Sequence, residues 1–538
     1  MSSTETKVQI QSRRFDVIIV GYGPTGLVLA SLLGERGHRV AVVERWRELY
    51  GKPRLTHIDG ETARLISLAA DAEEALRDSW TTPHYYWLNG KGRLLIDVAA
   101  GNTRKALWDD HMSVHQPHFE SAIHERIQTH SKTVLLRGYA ATSIQQSATN
   151  VKLICQPWRP QGGDDAAMDA VSLEATYLVG ADGSNSFVRN ALGVDRIDFG
   201  FNERWLCVDT EPLKALPSKF DQNAMQVCDP RRGYMFMPIG KSRQRFEFAL
   251  KKNEDTSSMS RPEAAWRLLK EYHDLGPEDV RIVRNLVYTF ECRMANTWRV
   301  GRVFLSGDAA HTNPPYLGQG ACSGMRDASN LAWKLDLVLR GLAEDALLDT
   351  YEVERRPHAQ KLMLDSRALG MVANTANPVK AAIRDLLFRL KLAPKPKFPV
   401  LLDGVLARDK DGELVKGAGS LSGQGRVSVE GTLRRFDEHV GFNFSVVSRR
   451  SEQEKLPPDL LLRLQELGVR WVALDSAGDE DGRYGAMLDE LCADAMVIRP
   501  DFVFFGSSTS DELEWLLTKL VDALCLLPTS TPHPAGPA

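Results

Sequence analysis

The sequence predicts an α/β protein with a parallel sheet, an inserted antiparallel sheet and a small α/β lobe near the C-terminal end. A strand, a glycine-rich turn, a helix and a second strand follow one another over residues 15–44, which is the order of a βαβ unit. Alternating apolar strands fill most of residues 195–290. After a Pro/Lys-rich segment at 390–399, strands and helices follow a β-α-β and then a β-β-α order.

Composition and charge exclude several classes of protein. Of the 538 residues, 43% are hydrophobic and 25% are charged, so the chain as a whole is not disordered. The formal net charge of −3 argues against binding to nucleic acid or to a membrane surface. The seven cysteines include no Cys-x-x-Cys pair, which argues against a disulfide framework and a structural zinc site. The polar N-terminus and the lack of a long apolar run predict a cytoplasmic enzyme.

The first motif, GYGPTG, predicts a dinucleotide site. It joins the apolar strand FDVIIV to an apolar helix, and the next strand, VAVVE, ends at Glu44. Gly21 permits a tight turn, Gly23 lets a pyrophosphate approach the backbone, and Gly26 lets the helix pack against the strand. Glu44 is placed to accept hydrogen bonds from a ribose. The alternative is a structural glycine turn, and the position of the motif near the N-terminus favours FAD over NAD.

Two later motifs place an aspartate at the mouth of a helix. GADGS contains Asp182 and Gly183, and GDAAH contains Asp308. Such an aspartate can bind a sugar hydroxyl, which for Asp308 would be the ribityl chain of a flavin, whereas the alternative for each is an ordinary helix N-cap. Gly318 and Gly320 would let backbone N–H groups approach the flavin ring. The three motifs in this order are hard to explain as helix caps alone.

Together these motifs resemble the class A flavoprotein aromatic monooxygenases of the para-hydroxybenzoate hydroxylase fold. The resemblance rests on GYGPTG with Glu44, VGADGSNSFVR and RVFLSGDAAHTNPPYLGQGACSGMRDASNLAWKL, and it covers residues 15–365. Within the phenol hydroxylase branch it is greatest for the 3-(3-hydroxyphenyl)propionate hydroxylases. It implies FAD as cofactor, O2 as co-substrate and NADH or NADPH as reductant, with NADH slightly preferred.

The resemblance also implies a Rossmann-like FAD-binding domain with an inserted antiparallel substrate domain, followed by a thioredoxin-like domain. Because the last domain lacks a Cys-x-x-Cys pair, redox chemistry is not expected there. The expected boundaries are a disordered N-terminus (1–14), the FAD-binding domain (15–80, 111–194 and 291–365), the sheet domain (81–110 and 195–290), a helical connector (366–399), the thioredoxin-like domain (400–527) and a disordered tail (528–538).

The family pattern further implies which residues hold FAD. The glycine turn and Glu44 would hold the ADP half, Arg54 and Gln116 would hold phosphate, ribityl or adenosine oxygens, and Asp308 would hold the ribityl chain. Cys322 departs from the family, in which Asn is common, and a packed thiol is expected there. The complete expected set is Gly21, Gly23, Pro24, Thr25, Gly26, Glu44, Arg45, Arg54, Gln116, Asp182, Gly183, Asp308, Pro315, Gly318, Gln319, Gly320, Ala321 and Cys322.

On the substrate side, the resemblance implies hydroxylation of an electron-rich phenol, helped by a base near its hydroxyl group. Asp59 matches the position where phenol hydroxylases place an acid, and His57 could relay its proton or replace it. The alternative for Asp59 is the N-cap of a helix over residues 60–68. Both residues are therefore candidate catalytic groups.

Aromatic side chains that alternate along the inserted sheet could form the substrate wall. The candidates are Tyr234, Phe236, Phe246 and Tyr288 with Pro315, and the alternative for each aromatic residue is plain core. Tyr85 and Trp87 are weaker candidates.

Other charged residues give less specific expectations. Arg245 and Arg293 could bind a substrate carboxylate, although most arginines are only solvated. The charged residues of segment 352–356 predict a solvated helix face with i,i+4 pairs; they are Glu352, Glu354, Arg355 and Arg356. The HMSVH segment at 111–115 lacks the Glu of the metalloprotease motif, and no metal site is predicted.

The sequence thus predicts an FAD-dependent, NAD(P)H-consuming monooxygenase of aromatic catabolism that hydroxylates a phenol ortho to its hydroxyl group through a flavin C4a-hydroperoxide. One alternative is a same-fold enzyme that displaces a nitro or halide group or tailors a natural product. An alternative of another class is an FAD-holding redox sensor without turnover. The expected partners are a small phenolic substrate and a second copy of the chain in a homodimer, but neither nucleic acid nor a membrane.

Overall fold

The structure, a computed structural model, describes residues 13–99, 106–159, 169–220, 223–392 and 398–524. These residues fall into two compact units. The first lies within Met1–Arg104, Trp108–Ala328 and Ala359–Pro399, and the second within Lys105–Leu107, Ser329–His358 and Val400–Ala538. Most of the expected disordered N-terminus and the whole of the expected tail lie outside the described residues. The helices of these described ranges include none with the length and hydrophobicity of a membrane-spanning segment.

The first unit contains the expected parallel sheet. Its strands, in spatial order, are Arg299–Val300, Val303–Leu305, Val171–Gly180, Arg14–Val20, Val40–Glu44 and Thr133–Arg137, and Val151–Pro157 and Tyr139–Gln146 extend it from Val171–Gly180. Arg14–Val20 is a central strand that pairs in parallel with a neighbour on each side. Its residues Val17, Ile18 and Ile19 are fully buried, as the apolar run FDVIIV predicts.

The helices that lie wholly within the first unit are Pro24–Glu35, Gly60–Ala69, Ala72–Leu76, Gln116–Gln128, Phe187–Ala191, Thr256–Met259, Pro262–His273 and Pro378–Arg389. Two further helices, Gly320–Leu339 and Thr350–Ala373, have residues in both units, and the 3-10 turn Asp345–Asp349 belongs to the second. Short 3-10 turns of the first unit span Ser218–Phe220, Gly307–Ala309 and Pro315–Leu317, and a small sheet pairs His57–Ile58 and Trp80–Thr81 with Met112–Ser113. The expected βαβ unit is confirmed, with Pro24 in the first turn of its helix.

An eight-stranded sheet forms the other layer of the first unit. Its strand order is His311–Thr312, Val280–Ala295, Arg196–Pro212, Arg243–Ala249, Tyr234–Ile239, Ala224–Cys228, His84–Asn89 and Leu94–Ala99. Neighbouring strands are antiparallel except for Ala224–Cys228 and His84–Asn89, which are parallel. Helix Pro262–His273 packs on one face of this sheet and encloses a core that includes Leu206, Phe246 and Leu269.

The second unit contains a four-stranded sheet in the order Arg470–Ala473, Ser445–Ser448, Ala495–Ile498 and Phe504–Ser508. The first two strands are parallel and the other pairs are antiparallel, in the predicted β-α-β and β-β-α order. Its helices are Phe436–Val440, Pro458–Glu466, Arg483–Leu491 and Leu513–Ala523, with 3-10 turns at Gln453–Lys455 and Ser510–Glu512 and a small sheet of Arg426–Val429, Thr432–Arg435 and Gly478–Asp479. Its likeness to thioredoxin stays a prediction.

A buried cluster of charges crosses the second unit. Arg499 donates to Glu354 at 2.7 Å and to Asp501 at 2.6 Å, and Lys334 lies 3.0 Å from Glu354. The side chains of Arg499, Glu354 and Lys334 are completely buried. Arg499 and Lys334 hold the pKa of Glu354 down to about 2, against the opposing effect of burial. The expectation of a solvated face at residues 352–356 is therefore wrong for Glu354 and also for Arg355, which is 3% exposed, because a helix exposes only some of its sides.

Removal of the Glu354 carboxylate is expected to destabilise the second unit. Glu354→Ala leaves Lys334 and Arg499 buried without their shared partner, and the free energy of unfolding should fall by about 3 kcal/mol. Urea titration followed by tryptophan fluorescence measures this change. The matched control is Glu352→Ala, which removes a partly exposed pair with Arg356 and should cost less than about 1 kcal/mol. Equal losses in the two variants would contradict the importance of the buried cluster.

Candidate active site

A cavity of about 2530 Å³ in the first unit connects the glycine motifs with one face of the eight-stranded sheet. Most residues of the predicted cofactor set line it. These are Gly21, Gly23, Pro24, Thr25, Glu44, Arg45, Arg54, Gln116, Asp182, Gly183, Asp308, Pro315, Gly318, Gln319, Gly320 and Ala321. Gly26 and Cys322 are not in the lining. The structure therefore brings residues from distant parts of the chain to one site.

The glycines of the first motif shape the turn at the head of helix Pro24–Glu35. Gly21 has φ +105°, and a Cβ there would lie 2.3 Å from the carbonyl oxygen of Ala181. A Cβ at Gly26 would lie 2.1 Å from the Gly21 oxygen, so Gly26 acts by close packing, not by facing the cavity. At Gly23 no atom lies within 4 Å of the Cβ position. The turn is thus closed on the protein side and open toward the cavity.

Glu44 and Arg45 follow the second strand of the βαβ unit. The Glu44 carboxylate accepts the backbone N–H groups of Tyr22, at 2.9 Å, and Trp46, at 3.0 Å. These bonds fix the carboxylate beside the glycine turn, and its binding to a ribose stays a prediction. The Arg45 guanidinium lies 5.6 Å from the ring centre of Trp46 and 5.5 Å from that of Trp158.

Gln116 holds the loop that carries Arg54. Its Oε1 accepts the backbone N–H groups of Arg54, at 2.7 Å, and Leu55, at 2.9 Å, and its Nε2 donates to Glu120 at 2.7 Å. Burial raises the pKa of Glu120 to about 7. The Arg54 guanidinium lies 3.9 Å from the ring centre of Tyr50. Gln116 therefore positions Arg54, and direct contact of Gln116 with a cofactor stays a prediction.

The two candidate carboxylate-binding arginines have protein partners. Arg245 donates to Asp209 at 2.6 and 3.0 Å and to the carbonyl oxygens of Arg54, at 2.6 Å, and Pro53, at 2.8 Å. Arg293 pairs with Asp198 at 3.0 Å and with Glu291 at 3.1 Å. Arg245 thus fastens the Arg54 loop to the sheet, and Arg293 does not line the cavity.

The two aspartates of the later motifs have different surroundings. Asp182 accepts hydrogen bonds from Ser186 and, at 3.1 Å, from the N–H of Val188, so it caps its own loop. The Asp308 carboxylate is half-buried, and none of the described residues donates a hydrogen bond to it. Burial raises the pKa of Asp308, while His311 and Arg54 oppose this effect. Asp308 thus presents an acceptor to the cavity.

The first and third motifs pack against each other at Thr25. A Cβ at Gly307, which has φ +61°, would lie 2.5 Å from the Thr25 hydroxyl oxygen. A Cβ at Gly324 would lie 2.4 Å from the same oxygen. Only glycine at these positions allows the turn of the third motif to approach the first.

The loop after the third motif lies against His57. Gly318 has φ +64°, and a Cβ there would lie 2.7 Å from His57 Nδ1. His57 lines the cavity, and its Nε2 lies 3.1 Å from His111 Nδ1. Burial is the largest cause that lowers the pKa of His57, to about 4, and the His111 charge adds to it. His57 is therefore a neutral imidazole near pH 7.

Asp59 has the surroundings of the alternative interpretation, a helix cap. Its Oδ1 accepts the backbone N–H of Thr62, at 2.8 Å, and its hydroxyl, at 2.7 Å. Its Oδ2 accepts from Gln319, at 3.0 Å, and forms an ion pair with Arg326. Burial would raise the pKa of Asp59, but Arg326 and these donors hold it well below its usual range. Asp59 does not line the cavity, and a base role has no support from its geometry.

Cys322 is a packed thiol, as expected. It is completely buried, its Sγ lies 3.6 Å from the Gly318 carbonyl oxygen, and burial raises its pKa to about 12.

Two residues of the predicted substrate wall lie in the cavity lining, and their contact with a substrate stays a prediction. Tyr288 and Pro315 line the cavity. Tyr234, Phe236 and Phe246 instead contact the core beneath helix Pro262–His273. The assignment of these three aromatic residues to the substrate wall is therefore a mistake, because successive strand residues point to opposite faces of the sheet.

The opposite residues of the same strands form the wall. Met235, Glu247 and Gln226 line the cavity, together with Trp87 and Tyr85, the weaker aromatic candidates. The period-two pattern of the sequence was the signal for two different faces, but it does not show which face borders the cavity.

Sequence reasoning also missed a hydrogen-bonded group beside Pro315. The Glu203 carboxylate oxygen Oε2 accepts from the Tyr316 hydroxyl at 2.6 Å, from Trp205 Nε1 at 3.0 Å and from Asn374 Nδ2 at 2.6 Å. Tyr316 and Trp205 line the cavity, so this carboxylate fixes part of its wall.

One histidine of the HMSVH segment belongs to a polar cluster away from the cavity lining. Asp78, His115 and His118 bring three possible ligand atoms within 4.8 Å of one another. The Arg243 guanidinium lies 3.6 Å from Asp78 Oδ2, the carboxylate oxygen that faces His118, and would compete with a metal ion for that oxygen.

Two family models match the chain. The model described as FAD binding domain matches residues 14–366, and the model described as HcaD C-terminal domain matches residues 419–523. The first match includes all three glycine motifs.

Similar proteins extend over nearly the whole chain. A probable NADH-specific resorcinol 4-hydroxylase of Rhodococcus jostii (strain RHA1) is 34% identical and covers 97% of this chain and 97% of its own. A 3-(3-hydroxy-phenyl)propionate/3-hydroxycinnamic acid hydroxylase of Mycobacterium sp. (strain KMS) is 30% identical and covers 95% of this chain and 91% of its own.

Solved structures share the fold. The flavin-dependent monooxygenase PieE, solved with FAD and substrate, has a TM-score of 0.77 and 20% identity, and covers 95% of this chain and 99% of its own. Aklavinone-11 hydroxylase, solved with FAD and aklavinone, has a TM-score of 0.74 and 22% identity, with coverage of 94% and 99%. The chain therefore belongs to the FAD-binding-domain family and is a class A flavin-dependent aromatic monooxygenase of the phenol hydroxylase type.

Proposed function

We propose that this chain uses NADH to reduce bound FAD and then adds one atom of O2 to a phenol, ortho to a hydroxyl group, while the other atom is released as water. The observation that carries the proposal is the continuous cavity that joins the glycine motifs to a wall of aromatic side chains. The NADH-specific relative supports the choice of reductant. Carbon 4 of resorcinol, named for that relative, is ortho to one hydroxyl group and para to the other, so it is compatible with ortho addition.

The residues of the cavity fit an FAD. Its volume of about 2530 Å³ exceeds the roughly 300–1,000 Å³ usual for a small-molecule site, which leaves room for a dinucleotide and a substrate. Gly23 is open for a pyrophosphate, and Asp308 offers a carboxylate without a protein donor. FAD bound there would supply electron transfer from NADH and the activation of O2.

Each part of the site has a binding task in this proposal. The N-terminus of helix Pro24–Glu35 directs free N–H groups at the pyrophosphate, and Glu44 accepts from the adenosine ribose. Asp308 accepts from the ribityl hydroxyls. The left-handed turn at Gly318 brings the backbone of residues 318–320 to the flavin ring.

His57 and His111 are the proposed proton acceptors for the phenol hydroxyl group. Both line the cavity, and the distance of 3.1 Å between their ring nitrogens permits transfer of the proton from one to the other. Burial lowers the pKa of His57 to about 4, so its imidazole is neutral near pH 7 and has a lone pair for the hydroxyl proton. The same shift makes the imidazole a weaker base, so the proposal rests on the position of His57 in the cavity lining. Asp59 anchors Arg326 and the start of helix Gly60–Ala69 instead.

The proposed activity is tested with the purified holoenzyme. Phenols should stimulate NADH oxidation, and the product should be heavier by one oxygen atom that derives from 18O2. NADPH oxidation and the regiochemistry of the product are measured in parallel. NADH oxidation that no phenol stimulates, or a product that has lost nitrite or halide, would contradict the proposal.

Loss of the Asp308 carboxylate should weaken FAD binding. A hydrogen bond to a charged group contributes about 1.5–3 kcal/mol, so Asp308→Ala should raise the Kd for FAD by about 10- to 100-fold. Flavin content after gel filtration and titration of the apoprotein measure this change. Asp195→Ala, at an exposed position outside the cavity, is the control. An Asp308→Ala protein with unchanged FAD affinity would exclude the ribityl assignment.

Substitution of His57 should lower hydroxylation without loss of FAD. General acid–base catalysis contributes about 10²–10⁴-fold, and His57→Asn should lower kcat/KM for a phenol by about 10²-fold. Asp59→Asn keeps the cap volume and removes the charge, so it should reduce stability more than catalysis. A larger loss of kcat/KM in Asp59→Asn, with FAD bound and stability retained, would return the base role to Asp59.

A further inference from the structure

One row of paired residues crosses the cavity face of the eight-stranded sheet. In register, the row includes Trp87, Gln226, Met235, Glu247, Cys207 and Leu286, one from each of six neighbouring strands. All six line the cavity. Most of the row is apolar or aromatic, and Gln226 and Glu247 are its strongly polar members.

Gln226 has unused hydrogen-bonding capacity. The residue has 0% relative exposure, yet it lines the cavity. Its Nε2 has a long contact of 3.5 Å with the Tyr234 carbonyl oxygen, and its Oε1 has no partner among the described residues. A buried acceptor without a donor costs about 1–3 kcal/mol, so a ligand hydroxyl that donates to Oε1 would recover this cost.

Glu247 offers a second polar group two strands away. Strand spacing of about 4.8 Å places its Cα about 10 Å from that of Gln226, with Met235 between them. The nearest arginine nitrogen, Nε of Arg245, is 3.9 Å from its carboxylate. Burial raises the pKa of Glu247, while Arg245 opposes this effect. A ring resting on Met235 would therefore lie between two polar side chains.

This face of the sheet offers little to a carboxylate ligand. Its arginines, Arg245 and Arg284, are in the adjacent row, where Arg245 binds Asp209 and both bind the Pro53 carbonyl oxygen. A carboxylate beside Glu247 would meet a like charge whenever Glu247 is ionised. Other cations of the cavity lining, such as Lys380 and Arg389, come from helix Pro378–Arg389 and not from this face.

We propose that Gln226 and Glu247 form a subsite for a second, uncharged hydroxyl group on the substrate ring. The site thereby selects dihydric phenols over simple phenols and over phenols with a carboxylate side chain. This inference rests on the proposed function, because it deepens the substrate class of the same cavity. Hydrogen bonds from the second hydroxyl group satisfy Gln226 Oε1 or the Glu247 carboxyl group, and apolar contact with Met235 and Trp87 holds the ring.

The first test compares three substrates with the holoenzyme at one pH. NADH oxidation coupled to product formation is measured with resorcinol, phenol and 3-(3-hydroxyphenyl)propionate. A site built to bind a hydroxyl group rejects an analogue that lacks it, so kcat/KM for resorcinol should exceed that for each of the others by at least about tenfold. Equal values for resorcinol and phenol, or preference for the carboxylate substrate, would overturn the inference while the proposed function stands.

Variants then test the two residues. Gln226→Leu should lower kcat/KM for resorcinol by about tenfold, mainly through KM, and change the value for phenol little. Glu247→Gln should raise kcat/KM for 3-(3-hydroxyphenyl)propionate relative to that for resorcinol, because it removes a negative charge that repels the substrate carboxylate. The matched control is Gln244→Leu, since Gln244 also has a buried, unpartnered Oε1 in this sheet but lies outside the cavity lining. A resorcinol-to-phenol ratio that is unchanged in fully flavinated Gln226→Leu would overturn the subsite.

Binding measurements separate the two proposals. If no phenol is turned over, the proposed function fails, and isothermal titration of the holoenzyme with resorcinol still tests the subsite. Weaker binding to Gln226→Leu than to wild type and Gln244→Leu would support the subsite. No difference among the three proteins would reject it.

Discussion

The buried ion pair between Arg245 and Asp209 determines where the two walls of the cavity meet. Arg245 uses its remaining donors on the carbonyl oxygens of Pro53 and Arg54, so the sheet is bound to the loop that borders the nucleotide end. On its other side the loop is held through the Arg54 N–H by Gln116. The chain of contacts runs from sheet to loop to helix, and the position of Arg54 depends on every member of it. Arg245, a candidate for binding a substrate carboxylate, thus holds the sheet and the Arg54 loop together.

Local patterns predicted the parts of the fold that local physics determines. The βαβ unit, the three motifs and the order of elements in the second unit follow from apolar periodicity and glycine spacing within short segments. The cavity face of the inserted sheet did not follow, because alternation reveals two faces without saying what covers each. Large aromatic residues such as Phe236 and Phe246 suggested a ring-binding wall, yet helix Pro262–His273 covers them. Met235 and Glu247, each adjacent in sequence to one of these aromatic residues, border the cavity.

Charged partners far apart in sequence explain the other differences. Asp59 lies at a position that suits both a catalytic base and a helix cap. It caps its helix through the N–H of Thr62, and Arg326, 267 residues later, forms an ion pair with it. Glu354 lies among charged neighbours typical of a solvated helix, yet it is buried and accepts a hydrogen bond from buried Arg499, 145 residues later. In both cases burial becomes tolerable only because an opposite charge is buried too. A single sequence contains no local sign of such partners.

The two-faced sheet has a consequence for how enzymes of this fold diversify. One face packs against a helix and maintains stability, whereas the other contributes one side chain per strand to the cavity row. Because adjacent strand residues point in opposite directions, a substitution in the row leaves the packed core beneath it untouched. Natural variation can therefore explore new aromatic compounds in single steps, each confined to one strand, without first acquiring compensating changes in the scaffold. Recognition and packing are therefore separate properties of this sheet, although five of the six strands of the row contribute to both faces.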